Sequence, residues 1–593
     1  MENVLDKLLP LCAASCIALA ANADKVTLPG TSWDGNLANQ DNWPGSTIPS
    51  EGSGDIVLSG LVGNLTLSRD LTIGGTYTFQ INGGSTVSAA FGEYSLSVPG
   101  RIAIGDSSSN NSFDLTSGTM NGSGFVFVGR NGTASSNTLR ISNPGTSISS
   151  ANRFIAGYGA SAFGNVLVVT NGANLTASGP SGNLEAGANA SGNLVLLDGA
   201  GAINVSQYGY VGREDGGCNN RMVVRNVNTA VFTKGIIVGG GEGADGNSLL
   251  VTNVANLTSG QIVVGSKGAN CTGEVYLVSS ESSALPTFKV GGYASATNCY
   301  LLVDGGGNSR TSSGGLLSDF ILTNNVNTIE LRNIALRYET NKSTTNTAPV
   351  CTNSRYVIGK GASLVSTAPQ LAFSNCAPGF GIAVDGGHAA FGSQFRILSD
   401  AYRMDVLSGG ELVCTNLYCH ANDVVVTISN ATVKASGDVF MPDNAYGGWA
   451  TNNVIRFLGT SPRLTAYRFY QRSKGDVEID SDDNKTGVVL DFVLPENGYD
   501  TVPLETERII WLCGKYCKIR VDASAYRGDR RWMTLMRSNS NNITTKMSED
   551  ALCADFPNSP KLTVEHRIVS VEGGAKELQI RVKRPTGFAI IVK

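Results

Sequence analysis

Between Gly105 and Gly291 one short phrase recurs eight times: an apolar strand closed by glycine, a polar loop, a second strand and a polar turn. The closing glycines are Gly105, Gly129, Gly157, Gly187, Gly212, Gly239, Gly265 and Gly291, which sets steps of 24, 28, 30, 25, 27, 26 and 26 residues. A unit that short buries no core of its own and must stack on copies of itself, so the chain reads as a solenoid before any function is considered.

The sixth copy shows what a unit contains. Gly235-Ile236-Ile237-Val238-Gly239 leads into the loop GGEGADGN, then Ser248-Leu249-Leu250-Val251-Thr252-Asn253, then a third strand ending at Gly260. No helix signal separates these pieces, and the turns carry Asn-Gly, Gly-Ala or Ser-Gly. Three short parallel strands per turn make a β-helix, so the expected fold is all-β, a single-stranded right-handed parallel β-helix with N- and C-terminal caps.

Each strand then pairs with its equivalents one coil away at about 4.8 Å, one row of side chains pointing inward and the other outward. Val128, Val211, Val238 and Val264 are expected in aliphatic inner rows, with Ser, Thr and Asn outside. The closing glycines are expected at tight corners that need positive φ or leave no room for a Cβ. Asn137, Asn165, Asn193 and Asn247 recur just before the second strand, where stacked amides hydrogen-bond along the axis, a structural role before a ligand-binding one.

The length of 593 residues fits one continuous repeat body with two ends. Residues 1–23 read as a signal peptide: Lys7, the apolar run LLPLCAASCIALA, and Ala21-Asn22-Ala23 before a cleavage point at Asp24. Residues 24–100 read as an N-terminal cap with irregular first coils, Trp33 and Trp43 forming a lid. Regular coils follow over 101–310, coils with longer loops over 311–501, and a C-terminal β-cap over 502–593. After the leader no stretch reaches the 18 or so apolar residues of a membrane-spanning helix. Charged residues are 16% and the net charge is −4 with no basic run, so nucleic acid is not expected as a partner. Of the 12 cysteines, Cys271 and Cys299 lie about one coil apart and are close enough in this scheme to form a disulfide, though about two residues out of phase.

Trp33-Asp34-Gly35, Asn42-Trp43, Ile48-Pro49, Asp55-Ile56-Val57-Leu58 and repeats such as VGGGEGADGNSLLVTNVANLTSG resemble the large bacterial secreted β-helix proteins with autotransporter-associated β-strand repeats. The resemblance implies a pectin-lyase-like right-handed β-helix at the cell surface, usually without catalytic activity. The membrane barrel of alternating strands that follows such passengers has no counterpart here, so that route of export is not carried over.

Motifs that suggest chemistry have simpler structural readings. Gly241 to Gly246 matches G-x-G-x-x-G, but a dinucleotide site needs that motif to open a helix, and a strand follows. Asp476, Glu478 and Asp480 alternate along GDVEIDSDDN, so a strand would put all three carboxylates on one face, as general acid and base chemistry requires. Asp480, Asp482 and Asp483 supply clustered hard oxygens that suit calcium. A solvated outer face with Val477 and Ile479 inward explains the same run without chemistry. Cys414, Cys419 and His420 lack an evident fourth metal ligand, and Arg527-Gly528-Asp529 reads as a charged edge of the cap. No cofactor is expected. The overall expectation is a secreted or cell-surface, monomeric, non-catalytic solenoid that meets carbohydrate or another cell-surface protein. The alternative is a polysaccharide lyase or hydrolase of the same fold.

Overall fold

The computed structural model describes residues 24–28, 33–278, 285–312, 319–340, 344–346, 351–441, 452–471, 488–512, 518–528, 531–540, 542–545, 552–553 and 563–583. It is 55% strand and 1% helix, with parallel strands stacked into a β-solenoid of about 16 turns among these residues, so the all-β expectation holds. The chain divides into two compact units, Met1–Gly260 and Gln261–Lys593.

In the first unit each regular coil has three faces. The first face stacks Ile102–Ile104, Val126–Val128, Phe154–Ala156, Leu184–Ala186, Tyr208–Val211 and Gly235–Val238, all parallel and in register. The second stacks Thr138–Ile141, Val166–Thr170, Leu194–Asp198, Arg221–Arg225 and Ser248–Val254. The third stacks Ser147–Ser150, Asn174–Ala177, Ala202–Val205, Thr229–Phe232 and Asn256–Ser259. Val128, Val211 and Val238 are at most 1% exposed and line one inner row, as their spacing predicts.

The corner between the first and second faces explains why glycine and asparagine recur together. Asn111, Asn137, Asn165, Asn193 and Asn220 form a ladder in which each side-chain amide donates to the next Oδ1 at 2.8–3.1 Å. The backbone N–H of each rung donates to the same oxygen. The side-chain run ends at Asn220, whose amide donates to the Ala190 carbonyl while its backbone N–H donates to Asn247 Oδ1, and the Asn247 amide donates to the carbonyls of Gly217 and Ala244. Gly157 faces this ladder with φ +80°, and a Cβ there would lie 2.3 Å from Asn193 Nδ2, so both the backbone angle and the space demand glycine.

Trp43 lies in the segment between the strands Asp24–Leu28 and Gly54–Ser59 of the first unit. This ring is 3% exposed and its indole N–H donates to the Leu37 carbonyl at 2.9 Å, while Trp33 is only half-buried.

The second unit begins with three-faced coils as well: Gln261–Val264, Thr287–Val290 and Phe320–Leu322 on one face, and Thr272–Leu277, Tyr300–Asp304 and Thr328–Arg332 on the next. Val264 is fully buried here. The later coils vary in length: steps of 22 residues run from Gly381 to Arg403 to Val425, and steps of 29 and 35 from Val425 to Val454 to Val489. Ser363–Ser366 and Gln370–Ser374 both pair with the single strand His388–Leu398, which turns the corner at a bulge between Phe391 and Gln394. Glu411–Cys419, Thr432–Met441 and Arg463–Gln471 repeat this bent strand. A bulge takes fewer residues than a corner loop, and the step from Gly381 to Arg403 to Val425 shortens to 22 residues.

Cys271 and Cys299 are not joined by a disulfide. Nor are they out of phase. The following residues, Thr272 and Tyr300, are direct register partners, and Cys299, like a ladder asparagine, takes the Oδ1 of the next rung, Asn327, on its backbone N–H. Both thiols lie buried against backbone carbonyls, Cys271 on Ala269 and Cys299 on Gly268 and Thr297. At the C-terminal end Lys576–Lys583 runs antiparallel to Met533–Ser538, and Thr563–Ser570 antiparallel to it. Reversing the strand direction ends the parallel stack. Arg567 and Arg581 sit 4.1 and 4.7 Å from the Trp532 ring over this cap.

Candidate functional site

A three-residue strand points its first and third side chains inward and its middle one outward. On the first face of the first unit that middle row runs Ala103, Phe127, Ile155, Glu185, Tyr210 and Ile237 in register. The polar outer row expected from sequence is absent on this face. Residues that flank the strands fold around the row, so Phe127, Ile155 and Glu185 are at most 4% exposed although they face away from the core.

The flanking residues are aromatic and cationic. Phe125 and Phe127 stack at 5.5 Å, and Tyr158 meets Phe127 edge-on at 5.4 Å. Tyr208 and Tyr210 lie 5.4 Å apart. A cation sits over each cluster: Arg130 over Phe127, Arg153 over Phe125, Arg213 over Tyr210 and Lys234 over Tyr208, at 5.5–5.8 Å. Tyr158 is 39% exposed, and Phe125, Tyr208 and Tyr210 are half-buried.

Glu185 lies between the two clusters. Its side chain is 0% exposed, with Arg213 Nη1 at 3.4 Å and Arg153 Nε at 3.7 Å from Oε1, and the Asn183 amide donating to that oxygen at 3.2 Å. Oε2 has no hydrogen-bond partner among the described residues. Burial raises the Glu185 carboxyl above its ordinary range, opposed by Arg213 and Arg153. A carboxyl sealed from solvent touches no bound polymer. It lies buried beside two guanidinium groups whose side chains remain 22–24% exposed. Burial likewise raises the Tyr210 phenol, so it stays a neutral hydroxyl donor and acceptor.

The second unit carries a different aromatic row. Tyr418, Phe440, Tyr470 and Trp511 occupy register-equivalent positions on the long bent strands, with ring centroids 5.3, 4.6 and 6.1 Å apart. The first two pairs are within 9° of parallel. Rings stacked along the coil axis bury their faces against one another and turn only edges outward. The row therefore stabilises the stack, like the asparagine ladder, rather than offering a platform. Arg468, held by two bonds to Asp438 at 2.6 and 2.7 Å, packs beside it.

The carboxylates singled out from sequence, Asp476, Glu478, Asp480, Asp482 and Asp483, lie outside the described residues. Among the described residues no group of three His, Cys, Asp or Glu side chains could hold a metal ion. Cys414 and Cys419 are buried thiols pushed up to about 12 by burial, and His420 stacks on Tyr418. Gly241 to Gly246 forms the turn between Gly235–Val238 and Ser248–Val254, with no helix to receive a phosphate. Asp529 of the Arg-Gly-Asp tripeptide is outside the described residues. No helix among them is long and apolar enough to cross a membrane. The Glu185 row was missed in the sequence, where the available signal was a lone glutamate inside the apolar strand Leu184-Glu185-Ala186.

No protein-family model matches the chain, and no curated protein matches it significantly.

Proposed function

We propose that this chain is a secreted or cell-surface β-solenoid that binds carbohydrate non-catalytically. The observation that carries the reading is the first face of the first unit, where Tyr210 of the outward row and the flanking Tyr158 and Tyr208 lie among Arg153, Arg213 and Lys234. Aromatic surface accepts the apolar face of a sugar ring, while phenol and guanidinium groups meet its hydroxyls. Stacked coils hold these groups in place before binding, so little side-chain entropy is lost on contact. Many such weak contacts along one polymer add up through effective concentration. The apolar leader over residues 1–23 supports export.

The test is affinity electrophoresis of the purified chain through a panel of neutral and acidic polysaccharides, with product analysis on the same samples. Retardation by at least one polymer is expected, weakened about tenfold by Tyr158→Ala or Tyr210→Ala, a loss of about 1.4 kcal/mol per contact. The polymer length should not change. An absence of retardation across the panel, or variants that bind like the parent, refutes the reading. Shortened chains among the products would favour the lyase or hydrolase alternative.

A further inference from the structure

On the second face of the second unit, Arg456–Asp491–Arg520 occupies three successive strands in direct register. Asp491, 2% exposed, is gripped from both sides: Arg456 Nε at 2.8 Å, and Arg520 Nη2 and Nε at 2.6 and 3.0 Å. This is the fold's own way of holding an oxyanion, with a carboxylate on one rung and a guanidinium on the rungs before and after.

The same arrangement of rungs occurs on this face at Arg355, Gly381 and Arg403, again three successive strands in register. Here the middle residue is glycine and brings no side chain of its own. Arg355 and Arg403 are exposed, and neither makes an ion pair or a side-chain hydrogen bond among the described residues. Their Cα atoms are two register steps apart, about 10 Å at 4.8 Å per step. Between them lies a cleft of about 330 Å³ that Thr328, Asn353 and Asp405 also line. The floor is backbone and admits nothing larger than glycine: a Cβ on Gly381 would lie 1.9 Å from the Arg403 carbonyl oxygen, and one on Gly379 2.0 Å from Asn353 Oδ1. The backbone N–H groups of Arg355, Gly381 and Arg403 are each bonded to a carbonyl at 3.0 Å, so the arginines project from fixed points. Asp405 offsets one of the two positive charges and leaves the cleft with a net charge of +1.

We infer that this notch binds an oxyanion from outside the chain, a sulfate ester or carboxylate borne on a polysaccharide, in the place that Asp491 fills between Arg456 and Arg520. Charge-assisted bonds from two guanidinium groups supply the affinity. Thr328 and Asn353 on the wall offer neutral partners for neighbouring hydroxyls. The inference rests on the carbohydrate reading and narrows it to acidic polymers at this notch.

Three matched probes test it on the full chain: dextran, dextran sulfate and polygalacturonate, with inorganic sulfate as the free ion. At least one acidic polymer should bind tenfold or more tighter than dextran. Arg355→Gln and Arg403→Gln should each weaken that binding about tenfold, and the double variant should bring it to the dextran level. Lys at both positions should restore part of it, because charge returns without the planar fork. Both side chains are exposed, so the melting curves of all variants should overlay that of the parent. The notch is overturned if the double variant holds acidic polymers as the parent does, or if inorganic sulfate binds while the polymers gain nothing. Should a neutral glycan bind in a Tyr158- and Tyr210-dependent manner while acidic polymers gain nothing over it, the notch alone fails. If no glycan binds at all, the broader reading fails with it.

Discussion

Replacing Asn165 by alanine tests whether the buried amide ladder holds the coils together. Asn165 is 0% exposed. Its Oδ1 accepts the Asn137 backbone N–H at 3.1 Å and the Asn137 side-chain amide at 3.0 Å, and its own amide donates to Asn193 Oδ1 at 3.1 Å. Alanine leaves two buried donors on Asn137 without a partner. Asn193 Oδ1 is not orphaned, because the backbone N–H of residue 165 still reaches it at 2.9 Å. At about 1–3 kcal/mol for each orphaned buried group, the loss is about 4 kcal/mol. Asn174 is the control. It is half-buried and its Oδ1 accepts one backbone N–H, from Ala202 at 2.8 Å, so Asn174→Ala should cost about 1 kcal/mol. Because stability in a stacked array is local, the readout is amide hydrogen exchange of peptides spanning residues 137–198, alongside urea unfolding of the whole chain. Asn165→Asp keeps the acceptor for Asn137 but turns a second oxygen toward Asn193 Oδ1, so it should be at least as damaging at neutral pH and partly recover on acidification. Equal exchange rates in Asn165→Ala and Asn174→Ala would refute the reasoning and reduce the ladder to a by-product of composition.

Other outcomes follow from the same geometry. Gly157→Ala meets both a positive φ and the Asn193 amide, and should cost about 2 kcal/mol or more in chemical unfolding, while Gly145→Ala, where a Cβ meets nothing within 4 Å, should cost only the backbone strain. Glu185 has its folded pKa raised, so the native state holds its proton more tightly than the unfolded chain, and stability falls as pH rises from the unfolded value through the folded one. Glu185→Gln should remove that slope from a stability-versus-pH profile. Asp491 goes the other way: burial pushes its carboxyl up, but Arg520 and Arg456 together hold it below the ordinary value. Its contribution is present above the unfolded pKa and lost as pH falls through the folded one, and Asp491→Asn should flatten the acid limb of the same profile.

The repeating strand–glycine unit was enough to read the parallel solenoid, because a period of about two dozen residues leaves stacking as the only way to bury Val128, Val211 and Val238. Gly157 and the ladder asparagines were legible for the same reason: a residue that recurs at one phase of a coil meets its own copies. The two 22-residue coils between Gly381 and Val425 were not legible. The bulges at Phe391/Gln394 and Cys414/Leu417 that replace corner loops leave no distinctive letters in the sequence.

Both candidate surfaces lay beyond the sequence. Glu185, Arg153 and Arg213 belong to three different coils, and Arg355, Gly381 and Arg403 to three more, so each site exists only once the register is set. Loop lengths vary from coil to coil, and shifting one strand by a single residue would turn its outward side chains inward. The sequence by itself determined that coils must stack and which residues face the interior, since periodicity and apolarity suffice for that. Which outward side chains become neighbours, and which remain without a partner, was decided by the pairing of strands in three dimensions.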